Sequence, residues 1–148
     1  PYLSGNTIVD AGSGAGLPGI PLAILNTDKE FILVDSNGKK TRFLFQVKTE
    51  LGLSNVTIEN CRVEHYESSR QIDMVISRAF SSLEELAVKT RHLISSGSNK
   101  PCKLLAMKGR YPKEEITALP DDVTVSRIEK IIVPGENSHR HIVELICK

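Results

Sequence analysis

Apolar positions along this chain keep two rhythms: short, nearly unbroken apolar runs, and longer stretches with apolar residues three or four apart. The runs Thr7–Ala11, Glu30–Asp35, Asn55–Asn60, Ile72–Ser77 and Lys103–Met107 read as strands, the first of them buried on both faces. Between them the spacing predicts helices over Ile20–Leu25, over Lys39–Leu51 and over Ser82–Ile94. The second carries apolar residues at 43, 44, 47 and 51 and stops at Gly52. The third has them at 83, 86, 87, 93 and 94, with Ser82 placed as N-cap and Glu85 three residues on. Ser96–Asn99 reads as a loop, and Pro112–Leu119 as a short helix. Two last strands, near Val123–Val133 and His141–Cys147, flank a Pro134–Asn137 turn and form a hairpin.

Alternating strands and helices predict an α/β fold, a mostly parallel sheet covered by helices on both faces. Five strand–helix units closed by an antiparallel hairpin make seven strands in one domain spanning residues 1–148. Dehydrogenase domains usually end on a parallel strand, so the hairpin disfavours that class.

The junction after the first run carries the chemistry. Ile8-Val9-Asp10-Ala11 runs into Gly12-Ser13-Gly14-Ala15-Gly16-Leu17-Pro18-Gly19, a glycine-rich turn opening a helix. Such a turn lets a ligand approach the backbone closely at the carboxyl ends of the strands. Gly14, Gly16 and Gly19 also satisfy the dinucleotide spacing, so the glycines alone do not choose a ligand. Asp10 does: a carboxylate there suits a ligand bearing a sulfonium and an amino group and would repel a pyrophosphate. Asp35, ending the second strand, can accept hydrogen bonds from ribose hydroxyls of either ligand class. The cofactor expected is S-adenosylmethionine. The bland reading is that the glycines only turn the chain and Asp10 caps the turn.

Composition narrows the class only slightly. A chain 40% apolar and 25% charged is an ordinary globular domain. No apolar run approaches the roughly 20 residues of a membrane helix, and no signal-peptide pattern opens the chain. Three widely spaced cysteines, Cys61, Cys102 and Cys147, fit a reducing cytoplasm, and no Cys/His cluster has zinc spacing. A net charge of +1 argues for no global attraction to nucleic acid. Basic residues nevertheless gather at Lys39, Lys40, Arg42 and Lys48, at Lys100, Lys103, Lys108, Arg110 and Lys113, and at His139, Arg140 and His141.

The segment after the fourth strand bears on the reaction class. Amine-modifying enzymes acting on bases place an Asn/Asp-Pro-Pro-aromatic motif there, where this chain reads Ser77-Arg78-Ala79-Phe80. Pro101-Cys102 matches the pair used in cytosine-C5 methylation, but it enters the fifth strand and reads as a packing cysteine. No residue is assigned as base or nucleophile, and an acceptor that is already nucleophilic, such as guanine N7, fits.

The run Val9–Leu22, with Leu17-Pro18-Gly19-Ile20-Pro21 after the glycines, resembles the signature of the RsmG (GidB) family of small-subunit rRNA guanine-N7 methyltransferases. Val34-Asp35-Ser36 with Lys39-Lys40 and Arg42-Phe43-Leu44, then Arg62-Val63-Glu64, Val75–Ala79, Met107-Lys108-Gly109 and Arg140-His141 extend the likeness over essentially the whole chain. The resemblance implies a Rossmann-like class I S-adenosylmethionine-dependent methyltransferase fold and transfer to N7 of one guanine in the decoding region of 16S rRNA within the small ribosomal subunit. It implies that Gly12, Gly14 and Leu17 line the cofactor through the turn, that Val63 and Glu64 border its adenosine portion, and that Arg78 lies at its pocket. For Arg78, an ion pair with Glu64 or Asp10 is the plainer alternative. Lys108, Arg110, Arg140 and His141 are the candidates for contacting RNA phosphate, so that losing Lys108 is expected to weaken rRNA methylation and spare the cofactor. A cytoplasmic monomer without metal or membrane partner is expected. The family carries a helical segment ahead of its first strand, whereas this strand starts within seven residues of the first residue, so that segment is expected to be missing. Rival readings are a methyltransferase of the same fold acting on another RNA, a protein or a small molecule, an NAD-dependent oxidoreductase, and a non-catalytic RNA-binding domain.

Overall fold

A computed structural model describes residues 1–78, 80–94 and 103–148. Its elements run β1 (Thr7–Ala11), α1 (Gly19–Leu25), β2 (Glu30–Asp35), α2 (Gly38–Leu51), β3 (Val56–Asn60), a 3-10 turn (Val63–His65), β4 (Met74–Ser77), α3 (Leu83–Ile94), β5 (Lys103–Lys108), α4 (Lys113–Thr117), β6 (Val123–Ile131) and β7 (Arg140–Cys147). They form one seven-stranded sheet of order β3-β2-β1-β4-β5-β7-β6, in which β7 alone is antiparallel to its neighbours β5 and β6. The chain winds outward from β1 to β3, then crosses to β4 and β5. The order therefore reverses between β1 and β4, the place where such sheets bind ligands. There the Ser77 hydroxyl donates to the Ala11 carbonyl at 2.9 Å, tying the two strand ends together.

Strand alternation sorts the apolar side chains onto two faces. Val9, Ala11, Ile32, Val34, Val75, Leu104, Ala106, Val143 and Leu145 meet α3, while Ile8, Phe31, Leu33, Met74, Ile76 and Leu105 meet α1 and α2. Both faces are covered, which is why the first strands read as unbroken apolar runs. Among the described residues no helix is long and apolar enough to cross a membrane.

Helix boundaries follow their caps. Asn37 accepts the N–H groups of Lys39 and Lys40, starting α2, and Gly52 ends it in the left-handed conformation. The expected apolar stripe of α2 is only partly buried. Leu44 packs inward with Thr41, whereas Phe43 and Leu51 are 51% and 55% exposed. Phe43 lies about a quarter-turn from Leu44 on the helix, and Leu51 is its last residue, so neither reaches the sheet. The capping box expected at α3 forms only in part. Ser82 Oγ accepts the Glu85 N–H at 3.0 Å, but the Glu85 carboxylate turns to Ser81 and Lys89. The strand expected over Ile72–Ser77 starts at Met74, and the loop expected at Ser96–Asn99 lies outside the described residues.

The turn from α1 into β2 is held by a buried side chain. Asn55 Nδ2 lies 3.0, 3.2 and 3.0 Å from the carbonyls of Ala23, Asn26 and Lys29, of which the Asn26 carbonyl also accepts the Lys29 N–H at 3.1 Å. Removing the Asn55 side chain takes this donor from the Ala23 and Lys29 carbonyls, so Asn55→Ala is expected to cost about 2 kcal/mol. Urea unfolding should show a lower midpoint at unchanged slope, and an unchanged midpoint would refute the assignment.

Candidate functional site

The glycine turn leaves β1 at Ala11 and is stitched to the neighbouring strand, where the N–H groups of Gly12 and Ser13 both donate to the Val34 carbonyl, at 2.8 and 3.2 Å. Its inner side is tightly packed. A Cβ on Gly16, whose φ is +92°, would stand 2.6 Å from Ile20 and 2.9 Å from Leu44. Asp35 closes the outer side: Oδ2 accepts the Gly14 N–H and Oδ1 the Asn37 N–H, both at 2.8 Å. Two backbone donors thus fix the carboxylate's orientation while lone pairs remain for a further donor.

Asp10 does not face outward as a charge beside a ligand. Strand alternation turns it with Ile8 toward α1, where it is fully buried and Oδ2 accepts the Gly19 N–H at 2.9 Å. Burial pushes its pKa up to about 7, a rise that the Gly19 hydrogen bond and the Arg78 guanidinium oppose and Asp35 reinforces. The capping role is therefore realised. Its other oxygen, Oδ1, and the nearby turn residue Ser13 Oγ are buried without a hydrogen-bond partner among the described residues. Two such orphaned polar atoms under one turn leave hydrogen-bonding capacity that a polar ligand on the turn can meet.

Above the turn lies a recess of about 190 Å³ lined by Gly12, Asp35, Val63 and Glu64, together with Val34, Ser36, Cys61, Arg62, Phe80 and Lys89. The four predicted residues converge from three separate strand ends. The volume is below the roughly 300–1,000 Å³ typical of sites that enclose a whole drug-sized ligand, and it suits the nucleoside half of one. Gly14 and Leu17 do not line it: Gly14 is spent on Asp35, and Leu17 stands 40% exposed on the turn.

A larger cleft of about 490 Å³ opens beside it between the ends of β5, β6 and β7. Met107, Ile131, Val133 and Ile142 supply apolar walls, with Arg78, Lys108, Arg140 and His141 among its polar lining. Adjoining both is a small void of about 10 Å³ lined by Ser77, Arg78, Phe80, Ser82, Leu86, Ala106, Met107 and Lys108. It shares Phe80 with the recess, and Arg78, Met107 and Lys108 with the large cleft. Arg78, expected at the cofactor pocket, lines the large cleft and the small void but not the recess, and among the described residues it makes no ion pair with Glu64 or Asp10.

Three of the four basic candidates meet in this cleft because β5 and β7 run antiparallel with Lys108 opposite His141. Arg140, next along, pairs with Glu136 at 2.7 Å, and the His141 ring sits edge-on to Tyr111 with Nδ1 3.2 Å from the Gly109 carbonyl oxygen. Arg110 is exposed outside the lining. Lys108 departs from its expected place as an open phosphate contact. Its side chain is only 13% exposed, and its ammonium is 2.8 Å from Glu115 and donates to the carbonyls of Phe80 and Ser81 at 3.3 Å. Sequence reasoning missed Cys61, Phe80 and Lys89. Cys61 directly follows β3 and could have been found from that position; Phe80 and Lys89 arrive through tertiary packing. Lys100, Pro101 and Cys102 lie outside the described residues, and among those described no cluster could hold a metal.

Residues 1–143 match the family model described as rRNA small subunit methyltransferase G, GidB. The chain is 49% identical to the ribosomal RNA small subunit methyltransferase G of a Marinomonas species, covering all of this chain and 69% of that one. It is 49% identical to the protein of the same name from Nitrosococcus oceani, over 97% and 65% respectively. It thus spans about two thirds of the length of these curated relatives. Among solved structures, an rRNA methylase from Streptococcus thermophilus superposes with TM-score 0.66 at 17% identity, over 96% of this chain and 86% of that one. The magnesium protoporphyrin IX methyltransferase of Synechocystis, solved with bound S-adenosylmethionine, does so with TM-score 0.68 at 18% identity, over 99% and 72%. These distant likenesses establish the fold.

Asp10 gives the site a pH signature. Between about pH 4 and 7 an unfolded Asp10 has lost its proton while the folded one keeps it, so its contribution to stability is full below pH 4 and declines as pH rises to 7. Over that window the decline is on the order of 4 kcal/mol. Urea unfolding from pH 4 to 8 should show Asp10→Asn gaining on the parent protein as pH rises, and a constant difference would refute the buried-acid assignment.

Proposed function

Because the chain belongs to the rRNA small subunit methyltransferase G family, we propose that it transfers a methyl group from S-adenosylmethionine to N7 of one guanine of 16S rRNA in the small ribosomal subunit. The observation that supports the reading within the structure is the adjacency of two spaces: a nucleoside-sized recess on the glycine turn and a larger cleft with basic residues in its lining, with one small void adjoining both. A group-transfer enzyme needs that arrangement, donor on one side and acceptor on the other.

The residues divide accordingly. Asp35, its carboxylate held by two backbone N–H groups, is placed to accept from ribose hydroxyls, and Val63, Glu64 and Phe80 wall the adenosine portion. Gly12 lets the ligand lie against the backbone. Asp10 and Ser13 keep their unpartnered oxygens beneath the turn. S-adenosylmethionine, when bound, supplies an electrophilic methyl carbon whose bond to sulfur breaks as the bond to N7 forms. Guanine N7 offers a lone pair and no proton, so the protein is asked to position the acceptor and not to deprotonate it. Met107, Ile131, Val133 and Ile142 give a flat base an apolar seat in the larger cleft, and Arg78 lines that cleft on the side of the recess. Arg140 and His141 at the cleft, with Arg110 outside it, supply charge and hydrogen-bonding groups for the RNA backbone.

Labelled methyl transfer to small subunits lacking the modification, with the modified base mapped, tests this reading. One N7-methylguanine in 16S rRNA is expected; methyl on protein or at another base atom would overturn it. Gly12 adopts φ +71°, so Gly12→Val strains the turn and fills its ligand side. Calorimetry should find S-adenosylmethionine binding to that variant abolished, and unchanged affinity would remove the turn from the site.

A further inference from the structure

Lys108 and Glu115 form a knot that the proposed reaction does not use. The Lys108 ammonium reaches Glu115 Oε2 at 2.8 Å and the carbonyls of Phe80 and Ser81 at 3.3 Å each. The same Glu115 oxygen accepts the Leu83 N–H at 2.8 Å, an otherwise open donor at the first turn of α3. One ion pair therefore ties the end of β5, the strand-to-helix segment at 80–82 and α4 together. On the far side, the Glu85 carboxylate takes the Ser81 hydroxyl and pairs with Lys89 at 2.8 Å, and Lys89 Nζ lies 5.9 Å from the centre of the Phe80 ring. Phe80 is held by its carbonyl from one side and by its ring face from the other. Phe80 lines both the recess and the small void beside it.

We propose that Lys108 and Glu115 are positioning residues for the cofactor side, a clamp that fixes Phe80 as a wall of the recess on the side facing the larger cleft, and that Lys108 is not a phosphate contact. The inference rests on the methyltransferase reading above. Its basis is occupancy and burial. An ammonium has three donors, and here an acid and two carbonyls meet them in a side chain only 13% exposed. Freeing that ammonium for RNA would leave Glu115 unneutralised and two carbonyls without their donor. A surface lysine reaching for phosphate carries no such penalty.

The two roles predict opposite outcomes for the acid partner. If Lys108 touches phosphate, Glu115→Gln releases a cation toward RNA and leaves the cofactor alone. If the clamp positions Phe80, Glu115→Gln and Lys108→Met both weaken S-adenosylmethionine binding, by about tenfold, while Lys108→Arg restores most of it. The chain has no tryptophan, so Phe80→Trp provides a single emission reporter of the wall itself. Adding Lys108→Met or Glu115→Gln to it should shift its emission before any ligand is present.

The experiment is calorimetry of S-adenosylmethionine on the full chain and these variants, beside the salt dependence of small-subunit binding. The expected result is weaker cofactor binding in both neutralised variants, with the slope of log K against log salt unchanged. Cofactor affinity unchanged in Glu115→Gln and Lys108→Met, with the slope reduced by about one in the latter, overturns the clamp and makes Lys108 a phosphate contact. Glu115→Gln keeps the size of the side chain and one acceptor for Leu83, so it carries the test if Lys108→Met does not fold. A parent chain that binds no S-adenosylmethionine would instead overturn the underlying methyltransferase reading.

Discussion

A fully buried carboxyl accepting one backbone N–H holds the site in place. Asp10 on β1 grips Gly19 at the start of α1, and the glycine turn between them has little freedom left once both ends are anchored. Gly12 and Ser13 then reach the Val34 carbonyl, and Asp35 reaches Gly14, so the turn is stitched to β2 along its length. Asp10 is retained at an energetic cost, because burial favours its neutral form. The ionised carboxyl accepts from Gly19 more strongly, but the neutral form can accept as well, so the anchor persists in either form.

From that anchor the two halves of the site follow from sheet order. The reversal between β1 and β4 opens a crevice with the nucleoside recess on the β1–β3 side. The antiparallel insertion of β7 between β5 and β6 builds the second cleft from strand ends that no parallel continuation would bring together. Ser77 and Arg78, at the end of β4, stand where the halves join. Methyl transfer between two bound molecules draws most of its rate from holding them at the right separation, and a rigid sheet end is the part of this fold best able to do so.

The electrostatics of the acceptor side are less open than a count of basic residues suggests. Arg140 pairs with Glu136 and Lys108 with Glu115; away from the cleft, at the start of β5, Lys103 pairs with Glu144. The exposed pairs are worth little and yield readily to a phosphate; the Lys108 pair, mostly buried and shared with two carbonyls, does not. Basic residues that look alike in the sequence can therefore serve different ends.

Local chemistry was legible in the linear chain. Glycines clustered after an apolar run dictate a turn, since only they adopt its backbone; unbroken apolar runs dictate strands covered on both sides; Asn37 and Gly52 bracket α2 through short-range hydrogen bonds. The convergence of Gly12, Asp35, Val63 and Glu64 was also within reach, because each follows or ends a parallel strand and such ends share one edge. What tertiary structure alone decided depends on contacts distant in sequence. The parity of Asp10 along β1 and the placement of α1 turned a supposed ligand charge into a buried anchor. The register of β5 on β7 set Lys108 opposite His141, and the packing of α4 on α3 gave Lys108 to Glu115. A side chain's type and spacing state which interactions it can make, but its partner is chosen by burial and distance, and these exist only once the sheet has closed.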